Sequence, residues 1–161
     1  MKERATVICE RGSRVLLVGK AGARWNLPGG RLKPDETLMQ AASRELLEET
    51  HLAAVELHYL FAFVGTRTRH HVFLATLPSG TAAAPGREIA RCRWFDVAQL
   101  ERLRASAAVR VIVDMLALAR RDARASEPAL NADAHRTASA TNVTREAEVA
   151  SRAPATLNAA P

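Results

Sequence analysis

Residues 37–50 read Thr-Leu-Met-Gln-Ala-Ala-Ser-Arg-Glu-Leu-Leu-Glu-Glu-Thr, with Gly29-Gly30 upstream and His51-Leu52 downstream. The stretch holds no Gly or Pro and is rich in strong helix formers, so it predicts a helix over Thr37 to Thr50. Asp35 or Glu36 would bring negative charge to its N-terminus. With Glu45 set at zero and about 100° per residue, Glu48 falls near 300° and Glu49 near 40°. Leu38, Ala41, Ala42 and Leu46 fall between about 320° and 100° on the same wheel. The three carboxylates therefore overlap the apolar stripe instead of opposing it, while Gln40 and Ser43 lie on the polar side. Like charges at i, i+3 and i+4 repel. Carboxylates that border a buried face and lack partners are costly unless they meet a cation. Oxygen donors of this kind suit hard Mg²⁺ or Mn²⁺. Arg44, four residues before Glu48, can pair with it and orient it.

Outward from this helix the pattern alternates strands and turns. Arg4 to Cys9 and Arg14 to Val18 are short aliphatic runs joined by the turn signal Arg11-Gly12-Ser13. Leu27-Pro28-Gly29-Gly30 predicts a loop in which backbone can pass close to a ligand or to the helix. Val55 to Val64 alternates Val55, Leu57, Tyr59, Phe61 and Phe63 on one side, which predicts a strand; His71 to Leu77 and Arg91 to Phe95 predict two more. Pro78, Ser79, Gly80, Pro85 and Gly86 mark a loop, and Val97 to Leu103 and Ala107 to Arg124 predict helices. The order implies an α+β domain with a mixed sheet and helices on its faces.

Composition sets bounds on the chain. It has 161 residues, 48% hydrophobic and 25% charged, enough for one domain with a sizeable core. No apolar run approaches the ~18 residues of a membrane span. The N-terminal Met1-Lys2-Glu3-Arg4 has no apolar region behind it. Cys9 and Cys92 sit in apolar strand contexts without zinc or redox spacing, so buried, inert thiols and a cytoplasmic location are expected. From residue 125 to 161 the chain is Ala, Ser, Thr, Asn and Pro with scattered charges and no aromatic residue. Such a segment cannot bury enough apolar surface to offset its ordering entropy. The division expected is a domain over 1–124 and a disordered tail over 125–161, with a transient helix near 144–151. The net charge is +6, and apart from Lys2, Lys20 and Lys33 every basic residue is arginine. That balance suits anionic substrates. It is weaker as a sign of a nucleic-acid partner, because arginine and alanine rise together in GC-rich genomes.

Gly30, then Glu36, then Arg44-Glu45-Leu46-Leu47-Glu48-Glu49-Thr50-His51-Leu52 resembles the signature of the Nudix hydrolase family. That signature runs Gly, five residues, Glu, seven residues, then Arg-Glu-aliphatic-any-Glu-Glu-any-Gly-aliphatic. One constrained position departs from it, His51 in place of Gly. Glycine after a helix commonly serves as a left-handed cap, and His is among the residues enriched at positive φ, so the helix can still end there. The preceding Trp25-Asn26-Leu27-Pro28-Gly29 is also similar to the family, and the order of elements matches over roughly residues 1–122.

The resemblance implies a Nudix-like α/β/α sandwich with a mixed sheet. It implies hydrolysis of a phosphoanhydride in a nucleoside diphosphate linked to another group, with Mg²⁺ or Mn²⁺. Glu48 and Glu49 then look like the main metal ligands, with Glu45 as a ligand or the general base and the Gly29 carbonyl as an extra ligand. Arg44 would orient the glutamates and Glu36 would support them. Glu88, in the Pro/Gly-bounded loop, is a further candidate base or ligand, against the alternative of a surface glutamate. Arg67, Arg69, His70 and His71 form a basic cluster that would contact substrate phosphate or be a solvated turn. Trp25, Phe61, Phe63 and Phe73 would stack a base or belong to the core. Competing functions are an RNA 5′-end pyrophosphohydrolase and a catalytically silent nucleotide-binding regulatory domain. The expected partner is a small-molecule nucleotide and not a membrane; the substrate and the oligomeric state, a homodimer included, stay open.

Overall fold

A computed structural model describes residues 1–126 of the protein. Its elements are β1 (Lys2–Arg11), β2 (Arg14–Gly19), β3 (Gly29–Arg31), α1 (Leu38–Thr50), β4 (Glu56–Val64), β5 (Thr68–Thr76), β6 (Arg91–Asp96), a 3₁₀ segment (Val97–Arg102) and α2 (Ala107–Ser126). Two compact units divide the chain, Met1–Leu118 and Ala119–Pro161. Of the second, residues 119–126 are described and continue α2. The expected helix thus ends two residues later than Arg124, and the rest of the expected tail, 127–161, lies outside the described residues.

The sheet order is β4-β5-β1-β2-β6, with β3 paired to β1. β1 and β5 run parallel, with Ala5 opposite His71, and the other pairs are antiparallel, so the sheet is mixed as the sequence implied. Side-chain alternation along β1 splits the core into two layers. Ala5, Val7 and Cys9 face α1, packing on Ala41, Ala42 and Leu46. Ile8 faces the other way, onto Val109, Ile112, Val113 and Leu116 of α2. The result is an α/β/α sandwich. Among the described residues no helix is long and apolar enough to cross a membrane.

Four local differences from expectation stand out. Gly29–Gly30 is not loop but strand β3, because it pairs with Thr6 and Ala5 of β1. The alternation along β4 breaks at a bulge between Tyr59 and Phe61. One inserted residue inverts the facing of everything after it: Leu57 packs with the α1 layer, and Phe61 and Phe63 with the α2 layer. The N-terminus of α1 is capped by Thr37 and Gln40 in a reciprocal capping box, and its first turn holds no acidic residue. The expected helix at Val97 is the 3₁₀ segment, started by Asp96, which accepts from the Ala98 N–H.

Both cysteines are free, Cys9 buried and Cys92 half-buried. Burial pushes their thiols up to about 12 and about 11, far from the thiolate that reacts.

Candidate active site

The carboxylates of α1 are set by how that helix meets β3. The Glu45 carboxylate lies against Gly30 so closely that a Cβ there would sit 2.0 Å from Glu45 Oε1. Any other residue at position 30 would push Glu45 away. One turn on, Glu49 reaches the neighbouring peptide and accepts from the Gly29 N–H at 2.8 Å. The carbonyl of the same residue, Gly29, accepts from an Arg4 guanidinium N–H.

Arg44 organises the remaining acids. It donates to both oxygens of Glu36 (2.7 and 2.9 Å), to Glu45 Oε1 (2.6 Å), to Glu48 Oε2 (3.1 Å) and to the Arg31 carbonyl (3.1 Å). The fork geometry of a guanidinium makes this possible. With the Lys33 N–H as a further donor, Arg44 holds the Glu36 carboxyl down at about 2. The Arg44 guanidinium is raised above its ordinary value, chiefly by Glu36.

Glu49 goes the other way, pushed up to about 7 by burial, with the Glu45 charge adding to the rise. The Gly29 N–H, Arg4 and Lys20 offset part of this. A carboxylate so buried is held at a cost that a bound cation would relieve.

Glu45, Glu49 and Glu88 stand between two clefts of about 680 and about 670 Å³ and line both. Glu48, Arg44, Lys33 and Arg87 line the second, and Gly29, Gly30, Lys20 and Arg4 the first. Glu88 is exposed and paired with Lys20 at 2.8 Å, which lowers the Glu88 carboxyl and raises the Lys20 ammonium. Its loop is positioned by the end of α1. The Ala84 and Gly86 N–H groups donate to the carbonyls of Thr50 and Glu49, which have no partner inside the helix. A Cβ at Gly86 would sit 1.7 Å from the Glu48 carbonyl, so this docking requires glycine. His51 closes α1 in the left-handed region, φ 56° and ψ 16°, its N–H donating to the Leu47 carbonyl. The helix ends there as the sequence suggested.

Of the basic cluster at the start of β5, only His70 reaches a cleft. Arg69 and His71 pair with Glu3, His71 Nε2 at 2.6 Å. His70 Nδ1 shares a hydrogen bond with Thr6 Oγ1 and lines the first cleft. Arg67, Arg69 and His71 line neither cleft. Trp25 packs edge-on against Phe95 at 4.8 Å, with Arg91 stacked over it at 4.5 Å, and also lines neither.

Among the described residues no three His, Cys, Asp or Glu side chains already converge as a metal cage. Arg44 holds Glu45 and Glu48 apart from Glu49 by its own hydrogen bonds. The donor set nevertheless fits a hard divalent cation. It is carboxylate and carbonyl oxygen throughout, and Glu45 and Glu49 already repel one another across a cleft.

Arg4, Lys20, Gly86 and the Thr37–Gln40 box were missed by sequence reasoning. The box has a readable signal, Thr-x-x-Gln; Arg4 and Lys20 acquire their partners only through sheet pairing.

The NUDIX domain model matches residues 2–116. The chain belongs to the NUDIX family. Proteins similar to it include a Bacillus subtilis (strain 168) protein provisionally named an 8-oxo-dGTP diphosphatase. That protein is 34% identical over 101 residues, 58% of this chain and 65% of that protein. An oxidized purine nucleoside triphosphate hydrolase of Danio rerio is 36% identical over 101 residues, 56% of this chain and 64% of that one. The match spans just under two thirds of the length of both relatives. A crystal structure from Chromobacterium violaceum, provisionally titled a Nudix hydrolase family member, superposes with a TM-score of 0.63 and 28% identity. It covers 92% of this chain and 94% of that one.

Proposed function

We propose that this Nudix chain is a metal-dependent nucleotide pyrophosphohydrolase, cleaving a phosphoanhydride in a nucleoside diphosphate linked to another group. The observation that carries the reading is the placement of Glu45 and Glu49 against the Gly29–Gly30 backbone at the wall between two clefts. Glu48, Glu49, Glu45 and the Gly29 carbonyl would hold Mg²⁺ or Mn²⁺. When bound, the cation neutralises phosphate charge and lowers the pKa of water.

The chain's own groups do the rest. Arg44 orients Glu45 and Glu48, and Glu36 anchors Arg44 from behind. Either Glu45 or Glu88 accepts the proton of the attacking water; both line the clefts, and Glu88 has the more open position. Lys20, Lys33 and Arg87 line the clefts and are the cations available to substrate phosphates. The positions of Arg67, Arg69, His71 and Trp25 give no support to a substrate role. A nucleoside triphosphate with an oxidised purine is the first substrate to try, supported by the similarity to the zebrafish and B. subtilis proteins. Cytoplasmic work is consistent with two free, high-pKa thiols.

The test is a nucleotide panel with Mg²⁺, Mn²⁺ or excess chelator, reading orthophosphate and pyrophosphate separately. Turnover of at least one nucleotide with metal, abolished by chelator, is expected. Full turnover in chelator, or none on any nucleotide, overturns the reading.

A further inference from the structure

Arg4 has no part in the roles assigned above, yet it is half-buried and lines the carboxylate cleft. β1 brings it there, since Arg4 lies opposite Arg31 of β3, two residues from Gly29. A single residue, Gly29, joins it to the acids. The Gly29 N–H donates to Glu49, and the Gly29 carbonyl accepts from Arg4. Burial lowers the Arg4 guanidinium, and the charges of Glu49 and Glu45 hold it up. The hydrogen bond it makes here is thus with a neutral carbonyl, while its charge is balanced by two carboxylates farther off.

We infer that Arg4 is the resident counter-cation of this cleft, and that a divalent cation loads by displacing it from the Gly29 carbonyl. The inference rests on the reading of Glu45, Glu49 and Gly29 as metal-holding groups. Two cations cannot share one carbonyl and one pair of carboxylates without strong repulsion. The divalent ion has the higher charge density and the harder preference for oxygen. A guanidinium is weakly hydrated and spreads its charge, so it is suited to shield buried acids without cementing them. The side chain has somewhere to go: the cleft continues past Asn26, His70 and Ser106. The exchange would keep a positive charge near the half-buried Glu49 carboxylate of the empty cleft, and it would raise the metal concentration needed for loading.

The test uses the full chain without nucleotide. Mn²⁺ binding is followed by the electron paramagnetic resonance of free Mn²⁺, for wild type, Arg4→Met and Arg4→Lys. Arg4→Met keeps the apolar stem and removes the charge, so it should bind Mn²⁺ about tenfold tighter. Arg4→Lys should fall between Arg4→Met and wild type. Wild type supplies a measurement that needs no variant: the Arg4 Nε–H resonance should shift on titration with Mg²⁺. Equal or weaker Mn²⁺ affinity in Arg4→Met, or an Arg4 resonance that stays fixed at saturating Mg²⁺, overturns the exchange while leaving the metal site standing. Absence of Mn²⁺ binding in every protein removes both the site and the exchange.

Discussion

Arg44 and Glu36, eight residues apart, meet in a two-point fork, Nε to Oε1 at 2.7 Å and Nη2 to Oε2 at 2.9 Å. The fork leaves Nη1 free to reach Glu45 and Glu48 at the same time. Lysine offers one ammonium and cannot serve all these acceptors. Arg44→Lys is therefore expected to lower kcat at least about tenfold, as loss of an outer-shell partner commonly does, with an unchanged far-ultraviolet circular dichroism spectrum. Wild-type kcat in that variant would remove Arg44 from the positioning role.

The same fork gives a stability signature in acid. The Glu36 carboxyl ionises at about 2 in the folded chain against an ordinary 4.5. Its folded value is depressed, so its contribution is full above pH 4.5 and is lost as pH falls through about 2. The gap in melting temperature between wild type and Glu36→Gln should be widest above pH 5 and close steadily on acidification. A gap independent of pH would contradict this.

Glu49 has the opposite sign. Its folded value is raised to about 7 against 4.5, so the metal-free fold favours the protonated form. The metal-free protein should lose stability as pH rises from 4.5 to 7, relative to Glu49→Gln. A divalent ion competes with that proton. Apparent Mn²⁺ affinity, measured by calorimetry, should climb across the same interval and level off above it.

The glutamates should separate by burial. Glu49 is seated on Gly29, while the Glu48 side chain is 52% exposed. Glu48→Gln and Glu49→Gln should each cut kcat at least about 10²-fold, and Glu49→Gln should need the larger increase in Mg²⁺ to saturate. Glu88→Gln should cost under about tenfold if Glu45 is the base, with Glu45→Gln carrying the large loss. A large kcat loss in Glu88→Gln at unchanged metal affinity would assign the base to Glu88. Both outcomes are read from kcat against Mg²⁺ concentration.

His51→Gly relieves a left-handed side chain but enlarges the unfolded ensemble. The net effect expected is between neutral and about 1 kcal/mol more stable, by urea denaturation. Destabilisation by more than that amount would give the imidazole a role of its own.

The sequence was most legible where spacing alone carries meaning. Helix α1, its three glutamates and its end at His51 could be read from residues 37–51, because i, i+3 and i+4 positions share a face whatever the tertiary structure. The parallel pairing of β1 with β5 was out of reach. It joins residues more than sixty positions apart; the pairing of β1 with β3, which sets Arg4 beside Gly29, was equally unmarked. The same limit hid the partner of His71, which is Glu3 on the neighbouring strand. The bulge at Tyr59/Phe61 hid in a perfect apolar alternation, since an inserted residue that is itself apolar leaves no mark on the pattern.

The docking of Ala84 and Gly86 on the end of α1 separates two design problems. Glu88 lies two residues beyond the clamp, so its approach to the clefts is inherited from the helix and not from the loop that leads to it. Upstream, residues 78–83 are tethered where Arg11 donates to Thr81. Lengthening a flexible stretch of this kind costs only about 0.6 kcal/mol for each doubling. The 78–83 segment, which lines neither cleft, can thus change in length while the clamp at Ala84 and Gly86 keeps Glu88 where it is.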